Sequence, residues 1–113
     1  MSRRQFGLLG KNISYSFSKK YFTDKFALGN LADCSYENFD IQNIEEFPTV
    51  IANNPDLIGL NVTIPYKESI LPFLDEIDPI AKEIGAVNTI VFKNNRSIGY
   101  NTDAFGFKQS IKP

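Results

Sequence analysis

Leu57-Ile58-Gly59-Leu60-Asn61-Val62-Thr63-Ile64-Pro65-Tyr66-Lys67 is the stretch on which the fold turns. From Leu57 to Ile64 it is rich in β-branched and other apolar residues and reads as a strand. Pro65 has no N–H to give to a ladder, so the strand stops there. In the extended run Asn61, Thr63 and Pro65 fall on one side, Val62 and Ile64 on the other. From Lys67 to Ile84 the pattern turns helical, with a break around Asp78-Pro79. A strand that feeds a helix is the unit of an α/β layer.

Upstream, Phe6-Gly7-Leu8-Leu9 reads as a short buried strand, turned by Gly10-Lys11-Asn12. Ser18 is a good N-cap for a helix from Lys19 to Leu28, with Phe22 and Phe26 on its apolar face and Gly29 just past its end. Ser35 to Asp40 alternates like a strand. Asn43 and Glu46 have the spacing of a capping box, opening a helix with Ile44, Phe47, Val50 and Ile51 on one face. Pro48 sits in its first turn, and Asn54-Pro55-Asp56 closes it. Downstream, Ala86–Phe92 and Ser97–Tyr100 read as two strands joined at Asn94-Asn95, and Asp103 opens another helix. The expected fold is α/β: a mainly parallel sheet flanked by helices on both faces, with a β-hairpin near the C-terminal end.

The chain has 113 residues, enough for one domain. Apolar residues make up 42% and charged residues 22%, with a net charge of −1. With no basic stripe and no long apolar run, neither nucleic acid nor a membrane is an expected partner. Cys34 is the only cysteine, which excludes an intrachain disulfide and fits the reducing cytoplasm. Cys34 itself reads as a small core residue. There is no histidine. That excludes Ser-His-Asp and Cys-His schemes and the usual zinc sites, so proton transfer near neutral pH falls to Lys, Asp, Glu, Tyr or Cys.

Three segments carry more polar groups than plain structure needs. Ser14-Tyr15-Ser16-Phe17-Ser18 follows the first strand and turn, where α/β sheets bind ligands and helix-start N–H groups suit an anion. Its plain structural reading is a serine-rich turn with one cap. Asn61 to Lys67 ends in a lysine at a helix start, the wrong sign for the helix dipole. The plain reading there is a solvated side chain. Gly85-Ala86-Val87-Asn88-Thr89-Ile90 sets an amide in an apolar strand, where it needs partners. Asn101-Thr102-Asp103 starts a helix, with Asn101 or Thr102 as the cap. Gly7-Leu8-Leu9-Gly10 lacks the third glycine and the downstream acid of a dinucleotide fingerprint. Asp75, Glu76 and Asp78 read as a solvated, helix-favouring acidic cluster.

Together these segments resemble the N-terminal substrate-binding domain of the shikimate dehydrogenases, from about Phe6 to Gly106. The family's Asn-Val-Thr-x-Pro-x-Lys is intact at Asn61 to Lys67, and Gly-Ala-Val-Asn-Thr is intact at Gly85 to Thr89. Its Ile-x-His-Ser-x-Ser-Pro becomes Ile13-Ser14-Tyr15-Ser16-Phe17-Ser18-Lys19, which keeps both hydroxyls at Ser16 and Ser18. Its Asn-Thr-Asp-Gly becomes Asn101-Thr102-Asp103-Ala104, which keeps the acid.

The resemblance implies an aminoacid-dehydrogenase-like N-terminal domain over residues 1–113. The implied activity is reversible reduction of 3-dehydroshikimate to shikimate by NADPH. Ser16 and Ser18 would hold the substrate carboxylate. Thr63, Asn88, Lys67 and Asp103 would hold the ring hydroxyls, with Asn61 supporting them. Lys67 would be the acid/base and Asp103 its partner. NADP would bind mainly to a C-terminal Rossmann domain absent from this chain, so the chain alone is expected not to catalyse. The alternatives are a quinate/shikimate dehydrogenase, more distantly a methylenetetrahydrofolate dehydrogenase, and a non-catalytic shikimate-binding module. Ser rather than Thr at position 18 leans toward shikimate. Expected partners are shikimate or 3-dehydroshikimate, the C-terminal domain and a second copy in a homodimer, through a sheet edge exposed at the first residues.

Overall fold

Among the described residues strands alternate with helices as far as the fifth strand, which the sixth follows directly in a hairpin. The computed structural model describes residues 4–13, 18–29 and 33–102. In order come β1 (Arg4–Gly10), α1 (Ser18–Leu28), β2 (Cys34–Asp40), α2 (Phe47–Asn53) and β3 (Leu57–Val62). Then follow α3 (Tyr66–Ser69), β4 (Glu76–Ile77), α4 (Pro79–Ile84), β5 (Thr89–Lys93) and β6 (Arg96–Tyr100). The strands form one sheet in the order β2-β1-β3-β5-β6-β4. β1 runs parallel to β2 and β3, and β4 parallel to β6, while β5 is antiparallel to both its neighbours.

The two faces of the sheet follow from the period-2 alternation of β1. Phe6 and Leu8 pack with Tyr36 and with Phe22 and Phe26 of α1. Leu9 turns to the other face and joins Leu60, Val62, Ile90, Phe47 of α2, Tyr66 of α3 and Ala81 of α4. Helices therefore cover both faces, as expected. Gln5 pairs with Leu57 but Phe6 pairs with Gly59, so Ile58 is an extra residue in β3. That bulge inverts the alternation, which is how Leu57 and Leu60 reach the same core.

Several boundaries differ from the sequence reading. β3 ends at Val62 rather than Ile64. The Ile64-Pro65 peptide is cis and Ile64 is 75% exposed, so it does not share the buried side of Val62. The helical stretch from Lys67 to Ile84 is three short pieces rather than one broken helix. α3 gives way to a 3-10 turn at Leu71–Phe73 around Pro72, then to β4, and only Asp78-Pro79 starts α4. A two-residue strand is too short to show a period. β5 starts at Thr89, not Ala86. α1 begins at Ser18 itself, and the side chain of Ser18 lies outside the described residues. Glu46 accepts from the N–H groups of Gln42 and Asn43 at 2.8 and 2.9 Å, closing a 3-10 turn at Ile44–Glu46 that precedes α2, with Pro48 seated where α2 has N–H groups to spare.

The acidic cluster is not simply solvated. Asp75 accepts from the Ser97 N–H at 2.7 Å and its hydroxyl at 3.2 Å, and Asp78 caps α4 through the Ile80 N–H at 3.1 Å. Cys34 is half-buried at the start of β2 beside the Asp33 carboxylate rather than in the core. The expected exposed edge is not at β1: among the described residues β1 lies between β2 and β3, and the edges are β2 and β4. The hairpin turn is as expected, with Asn94 and Asn95 at φ 54° and 63°, the left-handed pair that suits a tight two-residue turn. Among the described residues no helix is long and apolar enough to cross a membrane.

A candidate ligand site at the carboxyl edge of the sheet

The carboxyl ends of β1, β2, β3 and β6 lie along one edge, and the start of the antiparallel β5 joins them there. Ligands of open α/β sheets bind at this edge. The segment 61–67 leaves it as a tight sequence of hydrogen bonds. Thr63 N–H donates to the Leu9 carbonyl at 3.0 Å, and Tyr66 N–H to the Thr63 carbonyl at 3.0 Å. The Tyr66 ring is buried and its hydroxyl donates to the Ile41 carbonyl, which pins α3 over the end of β2. Burial, then the nearby carboxylates of Glu46, Asp40 and Glu45, push that phenol above its ordinary value, so it stays a donor.

Backbone bonds bring the segment 85–89 to the same place. Val62 N–H donates to the Asn88 carbonyl at 2.8 Å, and Val87 N–H to the Lys67 carbonyl at 2.8 Å. Asn61 and Thr89 are partners across β3 and β5. Asn61, Thr63, Lys67 and Asn88 are thus gathered at one corner by the ladder and two loop bonds. Lys67 is half-buried and lines a shallow cleft of about 290 Å³ with Ile64, Pro65, Glu68 and Ala86. α3 has only four residues, so its dipole is that of a single turn and explains little about the lysine.

The amides are oriented. Asn88 lies just before β5, and its Oδ1 accepts from Thr89 Oγ1 at 3.0 Å, Thr102 N–H at 3.0 Å and Thr102 Oγ1 at 3.2 Å. Asn61 Oδ1 accepts from the Tyr36 hydroxyl at 3.1 Å. Both carbonyl oxygens are therefore engaged within the protein. Among the described residues the Nδ2 groups of both amides, the Thr63 hydroxyl and the Lys67 ammonium carry no hydrogen bond. The corner offers hydrogen-bond donors, the chemistry that suits an oxygen-rich ligand. Asn101 precedes the helical residue Thr102, and its amide donates to the Ala86 carbonyl at 3.2 Å.

Two further residues shape the site. Asp40 accepts from the N–H groups of Asn12 and Ile13 at 2.9 and 3.2 Å, so the end of β2 holds the turn that leads toward the serines. Gly10 leaves room for Thr63, because a Cβ there would meet Thr63 Cγ2 at 2.6 Å and Ile13 Cγ2 at 2.7 Å. Sequence reasoning missed Tyr36, although a tyrosine inside an alternating strand signals a hydroxyl that needs a partner. Ser16 and Asp103 lie outside the described residues, as does the side chain of Ser18.

The described residues do not fit a dinucleotide. Gly7 and Gly10 belong to β1 rather than to a loop, and a Cβ at Gly7 would meet the Phe39 ring at 2.5 Å. Both glycines serve packing, and neither exposes the run of N–H groups that a pyrophosphate needs.

Comparison with known proteins gives the family and supports the fold. A family model described as shikimate dehydrogenase substrate binding domain matches residues 8–90. Shikimate dehydrogenase (NADP(+)) of Chlorobaculum tepidum is 44% identical over 99% of this chain, which spans 38% of that protein. The crystal structure of shikimate dehydrogenase 1 from Peptoclostridium difficile aligns with a TM-score of 0.80 at 42% identity, covering 93% of this chain and 40% of that one. The Thermus thermophilus shikimate 5-dehydrogenase, solved in complex with NADP(H) and shikimate, gives 0.77 at 36% identity, with coverages of 96% and 41%. The chain spans about two fifths of the length of these proteins.

Proposed function

This chain belongs to the shikimate dehydrogenase substrate-binding domain family, and from that premise we propose that its carboxyl-edge corner binds shikimate and 3-dehydroshikimate. The chain would serve as the substrate-binding part of an NADP-dependent dehydrogenase of the cytoplasm. The observation that carries the reading is the convergence of Asn61, Thr63, Lys67 and Asn88, held by the Val62–Asn88 and Val87–Lys67 bonds. Donors without partners among the described residues suit a ligand whose oxygens supply acceptors.

NADP(H) supplies the hydride in that activity, and the described residues do not fit it. This chain's own work is to bind, orient and handle a proton. Thr63 and Asn88 hold ring hydroxyls, and Asn61 donates its amide beside them. Reduction of the ketone develops negative charge on its oxygen. The Lys67 ammonium stabilises that charge and gives it a proton, and takes the proton back in the oxidative direction. Ser16 and Ser18 bind the substrate carboxylate at the start of α1, and Asp103 orients the lysine and a substrate hydroxyl.

Titration of the chain with shikimate, followed through the backbone amide signals, tests the reading. The expected result is saturable shifts at Asn61, Thr63, Lys67 and Asn88. Shifts confined to other residues, or none at millimolar shikimate, would overturn it. Quinate in the same titration is expected to bind more weakly.

A further inference from the structure

Tyr36 lies on β2, two strands from Asn61, and reaches over β1 to it. The side chain is 4% exposed, so its hydroxyl must find a partner inside the protein. Its hydroxyl donates to Asn61 Oδ1 at 3.1 Å. An asparagine amide has two faces, a carbonyl that accepts and an NH2 that donates, and a half-turn of the side chain exchanges them. With its carbonyl held by the tyrosine, Asn61 offers only NH2 to the carboxyl edge. The Tyr36 ring is itself fixed, stacked on Phe22 of α1 at 4.6 Å and 20°. α1 starts at Ser18, so one ring ties the helix after the serine segment to the amide on β3.

We infer that Tyr36 is a positioning residue that sets Asn61 as a hydrogen-bond donor to the ligand and thereby tunes selectivity for ligand oxygens that accept. The effect on affinity rests on shikimate as the ligand, while the orientation of Asn61 does not. Asn88 is set in the same sense by Thr89 and Thr102. The amides of Asn61 on β3 and of Asn88 just before β5 therefore present the same polarity, which neither residue could arrange alone.

A double-mutant cycle tests this on the intact chain. Tyr36→Phe removes only the hydroxyl and keeps the stacked ring. It is expected to weaken shikimate binding by about fivefold to tenfold, the worth of one oriented hydrogen bond. In an Asn61→Ala background the same change is expected to do nothing further. Equal weakening in both backgrounds would mean a merely structural role and overturn the inference, and so would no weakening in either. A second readout needs no ligand: the heteronuclear NOE of the Asn61 Nδ2 group. It is expected to be high in the parent and to fall in Tyr36→Phe, and an unchanged value would also overturn the inference. If shikimate binds no form of the chain while the Asn61 signal still loosens, the proposed ligand fails and the positioning role stands.

Discussion

The two ends of the sheet are built from similar residues and do different things. At the carboxyl edge, the Thr63 hydroxyl, the Lys67 ammonium and two amide NH2 groups are without partners among the described residues. At the opposite end a larger cleft of about 520 Å³ is lined by Asn54, Asp75, Phe92, Asn95, Arg96 and Ser97, among others. There Asn54, Asp75, Arg96 and Ser97 have partners within the protein. Asp75 accepts from Ser97, Asn54 accepts from Gln5 at 3.1 Å and donates to the Val50 carbonyl at 2.7 Å, and Arg96 stands 3.9 Å from Glu76. Size alone would favour that cleft over the corner proposed to bind the ligand. A satisfied polar group contributes to stability, and an unsatisfied donor held in place is available for a ligand.

The sharpest way to break this contrast is Lys67→Ala in a dehydrogenase carrying this domain. Turnover is expected to fall on the order of 10²–10⁴, about 3–5 kcal/mol of barrier, with little change in shikimate affinity or thermal midpoint. Near-parental turnover would remove Lys67 as the acid/base. Next comes Gly10→Val, which pushes a side chain into Thr63 and Ile13. Overpacking of this kind costs about 1–3 kcal/mol, and calorimetry is expected to show that loss together with weakened shikimate binding. Loss of stability with unchanged binding would detach Gly10 from the site.

At the other end, Ser97→Ala should cost about 1 kcal/mol of unfolding free energy and leave shikimate binding unchanged. The smallest effect concerns pH. Hydrogen bonds from the Ser97 N–H and hydroxyl hold the Asp75 carboxyl below its ordinary value of 3.8. The unfolded chain therefore binds this proton more readily. The stability contributed is present above about pH 4 and is lost as pH falls through the folded value. Asp75→Asn should accordingly flatten the acid side of the stability profile, read by urea unfolding between pH 5 and pH 2. An unchanged slope would mean that the Ser97 contacts do not hold in solution.

Much of this was legible in the residues, for reasons that can be named. Alternation placed β2, and the turn chemistry of Asn94-Asn95 placed the hairpin, because both signals are local. The Asp78-Pro79 break marked the start of α4, because proline suits the first turn of a helix. The motif residues pointed to Lys67, Thr63, Asn61 and Asn88 as one constellation. What was not legible came from pairing at a distance. β4 is two residues long and exists only because β6 offers it an edge. The bulge at Ile58 appears only in the register against β1. Tyr36 read as one more alternating residue until its hydroxyl was seen to meet Asn61, 25 positions away.

By itself, then, the sequence determined an α/β layer and the family, and it named the residues proposed for the site, since these depend on residue type, local spacing and local propensity. The tertiary structure alone decided the strand order, the antiparallel insertion of β5 and the polarity of the two amides. Those depend on which hydrogen-bonding groups meet across strands, and no local pattern specifies such meetings. Lys67 could be named from its motif, but its place beside Asn88 came only when Val87 was seen to bond to its carbonyl.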